Sequence, residues 1–217
     1  MRFLQRLAKP SILEEKEEIW RKNFVDCSKK RPDNSKYAHA QIRDTLNSMS
    51  FHKCFYCERR LKGVAQEIDH FIEVAERRDL AYDWDNLYLA CDNCNNKLPN
   101  RTISTTDALD PCRDTDEIIE ECLTFEKGSI QAKSGSQKGL RTIQKYKLDS
   151  EQLDHVRTRQ LQLFYEVLIE IQKRMIVEQR QSMSEQEKEA LLSFENPDRP
   201  FSLMFKILLE KYPNLTA

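Results

Sequence analysis

The chain reads as an α+β protein, mostly helical, built around a segment clamped by metal-binding cysteines. Three observations carry that expectation. Only four of its 217 residues are glycine, with 33% charged and 39% hydrophobic residues, a composition that suits helices better than a sandwich of short strands. Apolar residues recur at helical spacing toward both ends of the chain. Between those ends, Cys54, Cys57, Cys91 and Cys94 form two Cys-x-x-Cys pairs, whose four thiolates can surround one tetrahedral zinc ion.

Composition also limits the function. A chain of this length buries roughly 70% of its unfolded surface, so it needs no disulfide scaffold. In a reducing compartment, paired cysteines favour metal ligation. A thioredoxin-like redox site remains the alternative for either pair alone, and two pairs flanking a histidine argue against it. No apolar run approaches the ~20 residues that span a bilayer, and Met1-Arg2-Phe3-Leu4-Gln5-Arg6 lacks a signal-peptide core. A cytoplasmic protein without a membrane partner is expected. The formal net charge of -1 gives little unaided attraction for a polyanion, so any nucleic acid must be held by local patches or by a partner.

The elements follow in order. Ser11-Ile12-Leu13-Glu14 reads as a capping box and predicts a helix through about Phe24. Arg31 to Ser35 is turn chemistry, after which Tyr37, Ile42, Leu46 and Met49 predict a second helix; both helices are expected to pack on the zinc module. His39 and His52 are read as exposed or packing residues. Alternation from Glu67 to Val74 predicts a strand, Asn86 to Ala90 a second, and the cysteine pair after it opens a helix. Asp107 to Cys112 reads as a turn and Leu123 to Ile130 as a strand, with Cys112 and Cys122 as buried packing. Ser134 to Gly139 looks flexible. It begins a basic run, Lys133, Lys138, Arg141, Lys145 and Lys147, that either tracks phosphates or forms a solvated face. Leu153 to Met175 predicts one long amphipathic helix, with His155 structural or exposed. Ser184 to Glu187 is a capping box opening a helix through Leu192, and Phe201 to Leu209 gives the last helix.

The chemistry lies between the cysteine pairs, in Glu67-Ile68-Asp69-His70-Phe71 and Tyr82-Asp83-Trp84-Asp85-Asn86-Leu87. Phosphodiester hydrolysis needs a base for water and positive charge at the leaving oxygen. His70 suits the first role, because imidazole is neutral near cellular pH. A hard cation, Mg²⁺ or Mn²⁺, takes oxygen ligands, which Asp69 and an asparagine of the following helix can supply. Neighbours on an ideal strand point to opposite faces, so Asp69 and His70 share a site only if the strand bends or ends there. Tyr82 and Trp84 are expected beneath the loop rather than stacking bases. Lys97 either reaches a phosphate or caps the helix end.

This order, Cys-x-x-Cys, Asp-His, Asn and Cys-x-x-Cys-Asn, resembles the zinc-stapled HNH endonucleases with their ββα-metal (His-Me finger) core. The resemblance implies zinc on Cys54, Cys57, Cys91 and Cys94. It implies His70 as the general base, Asp69 and Asn95 as ligands of a catalytic divalent ion, and Asn86 as the asparagine that orders the loop between the strands. The final histidine of the family is replaced by Asn95, giving His-Asn-Asn. The stretches Cys54 to Glu58, Ile68 to Phe71, Tyr82 to Leu87 and Cys94 to Lys97, together with Met1-Arg2-Phe3, Leu109-Asp110-Pro111 and Thr142 to Leu148, are similar to the PtuB nucleases of Septu and retron-linked anti-phage systems. That similarity implies an ABC-type ATPase partner, PtuA, and in the retron branch a reverse transcriptase with its RNA–DNA product. After Phe71 the family tends toward Pro-Lys. Here Ile72-Glu73-Val74 follows, which shifts the expected phosphate contact to Arg77 or Arg78. The expected organisation is an N-terminal helical segment, 1–50, a nuclease core, 51–130, and a C-terminal helical region, 131–217. DNA is the favoured substrate. The alternatives are RNA such as tRNA, or a zinc-ribbon module that binds nucleic acid or protein without catalysis.

Overall fold

A computed structural model describes residues 1–213. Helix α1 (Ser11–Val25) starts at Ser11 itself, one residue earlier than a Ser11 cap implies: Pro10 is the N-cap, and its carbonyl accepts from Leu13 and Glu14. The capping box at Ser11 does not form, because Ser11 already lies inside the first turn and its hydroxyl bonds Gln41 Oε1 at 3.2 Å. Helix α2 (Asn34–Tyr37) is capped by Asp33. Helix α3 (Ala40–Ser50) is capped by His39, whose Nδ1 accepts from the Gln41 amide at 3.3 Å. His39 is therefore a cap, a use of a ring nitrogen that composition alone does not reveal.

Strand β1 (Glu67–His70) pairs antiparallel with β2 (Leu87–Ala90), Asp69 opposite Tyr88 and His70 opposite Leu87. The single-turn helix α4 (Asp92–Asn95) follows. The first cysteine knuckle joins this ribbon through Phe55 N–H to Leu89 O, 2.9 Å. Strand β1 stops four residues short of the expected Val74. The amide of Ile72 is taken by the Asn86 side chain, and the carbonyls of His70 and Phe71 by Lys97.

After α5 (Asp116–Cys122), the expected single strand is a hairpin, β3 (Leu123–Glu126) with β4 (Ser129–Ala132). Lys127 and Gly128 turn it with φ of 48° and 91°, the positive pair that a two-residue hairpin turn requires. The stretch expected to be flexible opens α6 (Gln137–Tyr146), capped by Ser136 through the Gly139 amide. A Cβ on Gly139 would lie 2.1 Å from the Cys122 carbonyl oxygen, so only glycine lets α6 approach the end of α5. Helices α7 (Glu151–Val177), α8 (Glu185–Leu192) and α9 (Ser202–Lys211) complete the described chain, and the Ser184–Glu187 capping box forms as read.

Two apolar clusters result. The larger unites Leu13, Ile42, Leu46 and Met49 with the cysteine knuckles, β2 and Ile143 and Tyr146 of α6, so both N-terminal helices pack on the cysteine module. The smaller joins Phe164, Leu168 and Ile171 of α7 to Leu191 and to Phe201, Met204 and Phe205. Cys112 and Cys122 pack partly buried against the first cluster. Among the described residues no helix is long and apolar enough to cross a membrane.

Candidate functional site

The four paired cysteines converge. Their sulfurs lie within 4.8 Å of one another, all buried, and Cys57 Sγ stands 3.7 Å from Cys91 Sγ. Four sulfurs at ~2.3 Å from a tetrahedral zinc ion are about 3.8 Å apart along each edge, so the spacing fits that ion. The electrostatics agree. Burial pushes the thiols of Cys54 and Cys94 well up, while hydrogen bonds from Cys54 and Cys57 hold Cys91 far down. Four buried sulfurs this close together do not carry full charge unaided, and a dication at their centre offsets that repulsion.

The first knuckle also delivers Tyr56 to β1. The phenol is fully buried and donates to Asp69 Oδ2 at 2.6 Å, between the rings of Tyr146 at 4.2 Å and Tyr88 at 6.0 Å. Lys97 donates to the same oxygen at 2.6 Å, and to the carbonyls of His70 at 2.6 Å and Phe71 at 3.0 Å. Lys97 therefore neither reaches outward nor caps α4. It ties the segment after the second knuckle to the end of β1.

Asp69, His70 and Asn95 line one open groove of about 340 Å³ together with Arg31, Glu67 and Glu73. The strand ends at His70, which is what lets neighbouring side chains serve a common space. His70 is half-buried, with its ring 4.8 Å from that of Tyr37, edge to face. Its Nε2 lies 2.8 Å from the Ala81 carbonyl oxygen, which can only accept, so Nε2 carries the proton and Nδ1 is left with the lone pair. Burial lowers the pKa of the ring, against the opposing pull of that carbonyl and of Asp69. The imidazole is thus neutral at cellular pH and holds an acceptor nitrogen.

Oxygen donors for a hard cation are present. Asp69 keeps Oδ1 clear of the bonds made by Oδ2, Asn95 is exposed at the end of α4, and Glu73 has a buried carboxylate oxygen, Oε1, without a hydrogen bond. These are oxygen donors of the kind a divalent ion with mixed protein and water ligands takes. Asn86, 4% exposed, stands outside the groove. Its amide accepts from Ile72 N–H at 2.7 Å and donates to the carbonyls of Ile72 and Leu80 at 3.0 and 3.1 Å, closing the loop between the strands.

Residues 54–101 match the family model of the HNH endonucleases. This chain carries an HNH endonuclease domain. It is 32% identical to the Septu protein PtuB of Bacillus thuringiensis over 84 residues, which are 38% of this chain and 33% of that protein. It is 28% identical to the Septu protein PtuB of Bacillus mycoides (strain KBAB4), over 57% of this chain and 52% of the relative. The chain thus spans about a third to a half of the length of these curated relatives.

Several residues of the HNH domain behave differently from the sequence reading. Arg77 makes an exposed pair with Asp79 at 2.6 Å, and Arg78 spends its guanidinium on the carbonyls of Phe24, Cys27 and Lys29. In the basic run, Lys138 pairs with Asp114, and Lys145 is fully buried, donating to Leu98 O at 3.2 Å and Ile103 O at 2.7 Å. Lys145 thereby fixes the chain just beyond Lys97. Trp84 and Tyr82 are buried as expected, Trp84 through its indole N–H to Leu7 O at 3.0 Å. Sequence reasoning missed the roles of Tyr56, Lys145 and Arg31. Only Tyr56, inside the first knuckle, carried a local hint.

Proposed function

We propose that the chain is a divalent-metal-dependent endonuclease that hydrolyses phosphodiester bonds of nucleic acid, DNA foremost. It would act as the effector of a Septu or retron-type anti-phage system beside a PtuA ATPase. One observation carries the reading: Asp69, His70 and Asn95 line the same groove, with the His70 Nε2 at the Ala81 carbonyl and its Nδ1 unengaged. His70 Nδ1 takes a proton from water as the water oxygen bonds to phosphorus and the sugar oxygen departs. The carboxylate of Asp69 and the amide oxygen of Asn95 would hold Mg²⁺ or Mn²⁺, which would supply positive charge for the leaving oxygen. Asn86 keeps the loop closed so that Ala81 stays in place to orient the ring.

The names of the relatives and the weak net charge support a partner-dependent effector, since little intrinsic attraction for polyanions leaves the groove idle until substrate is presented. The test is cleavage of duplex DNA with Mg²⁺ or Mn²⁺ and PtuA present. His70→Ala should lose about 10²- to 10⁴-fold in rate while keeping its zinc. An inert parent with its partner present would favour a binding module instead, and equal rates for parent and variant would remove His70 from the chemistry. Cleavage of RNA alone would move the substrate, not the site.

A further inference from the structure

We infer that the exposed loop between α1 and α2 is the phosphate-binding wall of the groove, acting through Lys29, Lys30 and Arg31, and that Arg78 holds it there. The inference rests on the nuclease reading for its purpose, but its evidence is separate.

The groove has a charge problem. Glu67, Asp69 and Glu73 line it, and Arg31 is the single cationic side chain among the described residues that does so. A phosphodiester entering the groove meets three carboxylates. The cations nearest in sequence and structure are already committed: Lys97 to Asp69, Lys145 to two carbonyls and Glu73, Arg77 to Asp79. Lys29, Lys30 and Arg31 are all exposed, and among the described residues their side chains make no hydrogen bond or ion pair. Lys29 acts electrostatically on Asp33 and Arg31 on Tyr37, yet three adjacent exposed cations with no direct ion pair, one of them in the groove wall, suit a phosphate chain passing that wall.

The loop is also fixed rather than merely connecting. Arg78 Nη1 donates to Lys29 O at 2.9 Å, and its Nη2 to Phe24 O at 2.6 Å and Cys27 O at 3.0 Å. The guanidinium lies over the Phe24 ring, 4.3 Å from its centre. At the far end the Asp33 amide donates to the buried Tyr82 hydroxyl at 3.2 Å. Both anchors come from the segment between β1 and β2. The catalytic unit therefore sets the position of the basic loop, and ordering it in advance lowers the entropic cost of binding. The phosphate contact expected of Arg78 itself is thus relayed to the loop it grips.

Binding to a labelled DNA duplex and to an RNA hairpin is measured for the His70→Ala protein in complex with its ATPase partner, without added divalent ion, as a function of salt. Each neutralised phosphate contributes about 0.9 to the slope of log K against log salt. Lys29→Gln/Lys30→Gln/Arg31→Gln should therefore flatten that slope by about 2–3 and weaken binding up to about 500-fold near 0.1 M salt. The same charge change at Lys127, Lys173 and Lys188 should leave both quantities near the parent values. A loop variant within threefold of the parent, or a control that loses as much, overturns the inference. A wild-type chain that cleaves while the His70→Ala protein binds neither probe overturns the loop and spares the nuclease. A chain that binds with the expected slope but never cleaves with its ATPase partner supports the loop and sinks the nuclease.

Discussion

Lys97→Met tests how the site is held together. The Lys97 ammonium and the Asp69 carboxylate are 4% and 7% exposed and 2.6 Å apart, and the ammonium also bonds two carbonyls at the end of β1. Methionine keeps the length of the stem and removes the charge, leaving Asp69 buried with Tyr56 as its one remaining donor. Removing one partner of a buried pair costs about 3–5 kcal/mol. For a chain of this size each kcal/mol moves the midpoint by about 2–4 °C, so Tm should fall by about 6–20 °C. The assay is thermal unfolding followed by circular dichroism, with zinc measured in parallel, on Lys97→Met, Asp69→Asn and the double variant. Because Asp69→Asn strands the ammonium in turn, the double variant should cost less than the two singles together, by about 1–3 kcal/mol. A Tm drop of under about 2 °C for Lys97→Met, or strict additivity, would show that the pair acts as a solvent-screened surface bridge does.

Cys91→Ser should abolish stoichiometric zinc and, since such a site contributes on the order of 10 kcal/mol, unfold the HNH domain; full zinc by atomic absorption would contradict it. Gly139→Ala places a methyl group 2.1 Å from the Cys122 carbonyl oxygen, backbone against backbone, and should cost at least about 1–3 kcal/mol in denaturant titration. An unchanged midpoint would mean that α6 does not sit that close. Glu187 is held down to about 2 from 4.5, chiefly by the Arg180 fork at 2.9 and 3.0 Å and then by the Ser184 amide. A depressed carboxylate stabilises above its ordinary pKa and loses that contribution as pH falls from there through the folded value. The stability gap between the parent and Glu187→Gln should therefore close between pH 4.5 and about 2; a gap that stays constant over that range would refute the assignment.

Most local signals in the sequence were legible where their cause is local, the Ser11–Glu14 box being the exception, since Pro10 caps α1. The Ser184–Glu187 box, the amphipathic period of α7 and the two knuckles depend on residues a few positions apart, and all three stand where the sequence puts them. Errors arose where a distant group intervened. Ser134 to Gly139 reads as flexible, because nothing local shows that Ser136 will cap a helix pressed against the Cys122 carbonyl. Lys145 looks like one member of a basic run, and its burial depends on carbonyls more than 40 residues away. Arg31 reads as part of a turn, and only the fold brings it to the groove of His70.

The end of β1 shows why Asp69 and His70 could be named from the sequence as candidates but their geometry could not. A two-stranded ribbon is marginal by itself, and continuing β1 past His70 would keep consecutive side chains on opposite faces. The strand stops because its polar groups are claimed from outside. Lys97 takes the carbonyls of His70 and Phe71, while Asn86 takes the Ile72 amide with its side chain and the Phe71 amide with its carbonyl. The cysteine cluster places both claimants, since Asn86 leads into β2, which ends just before Cys91, and Lys97 follows Cys94 by three residues. The clamp thus acts on the chemistry through backbone hydrogen bonding. It ends a strand at the one position where an acid and a base adjacent in sequence can line the same groove.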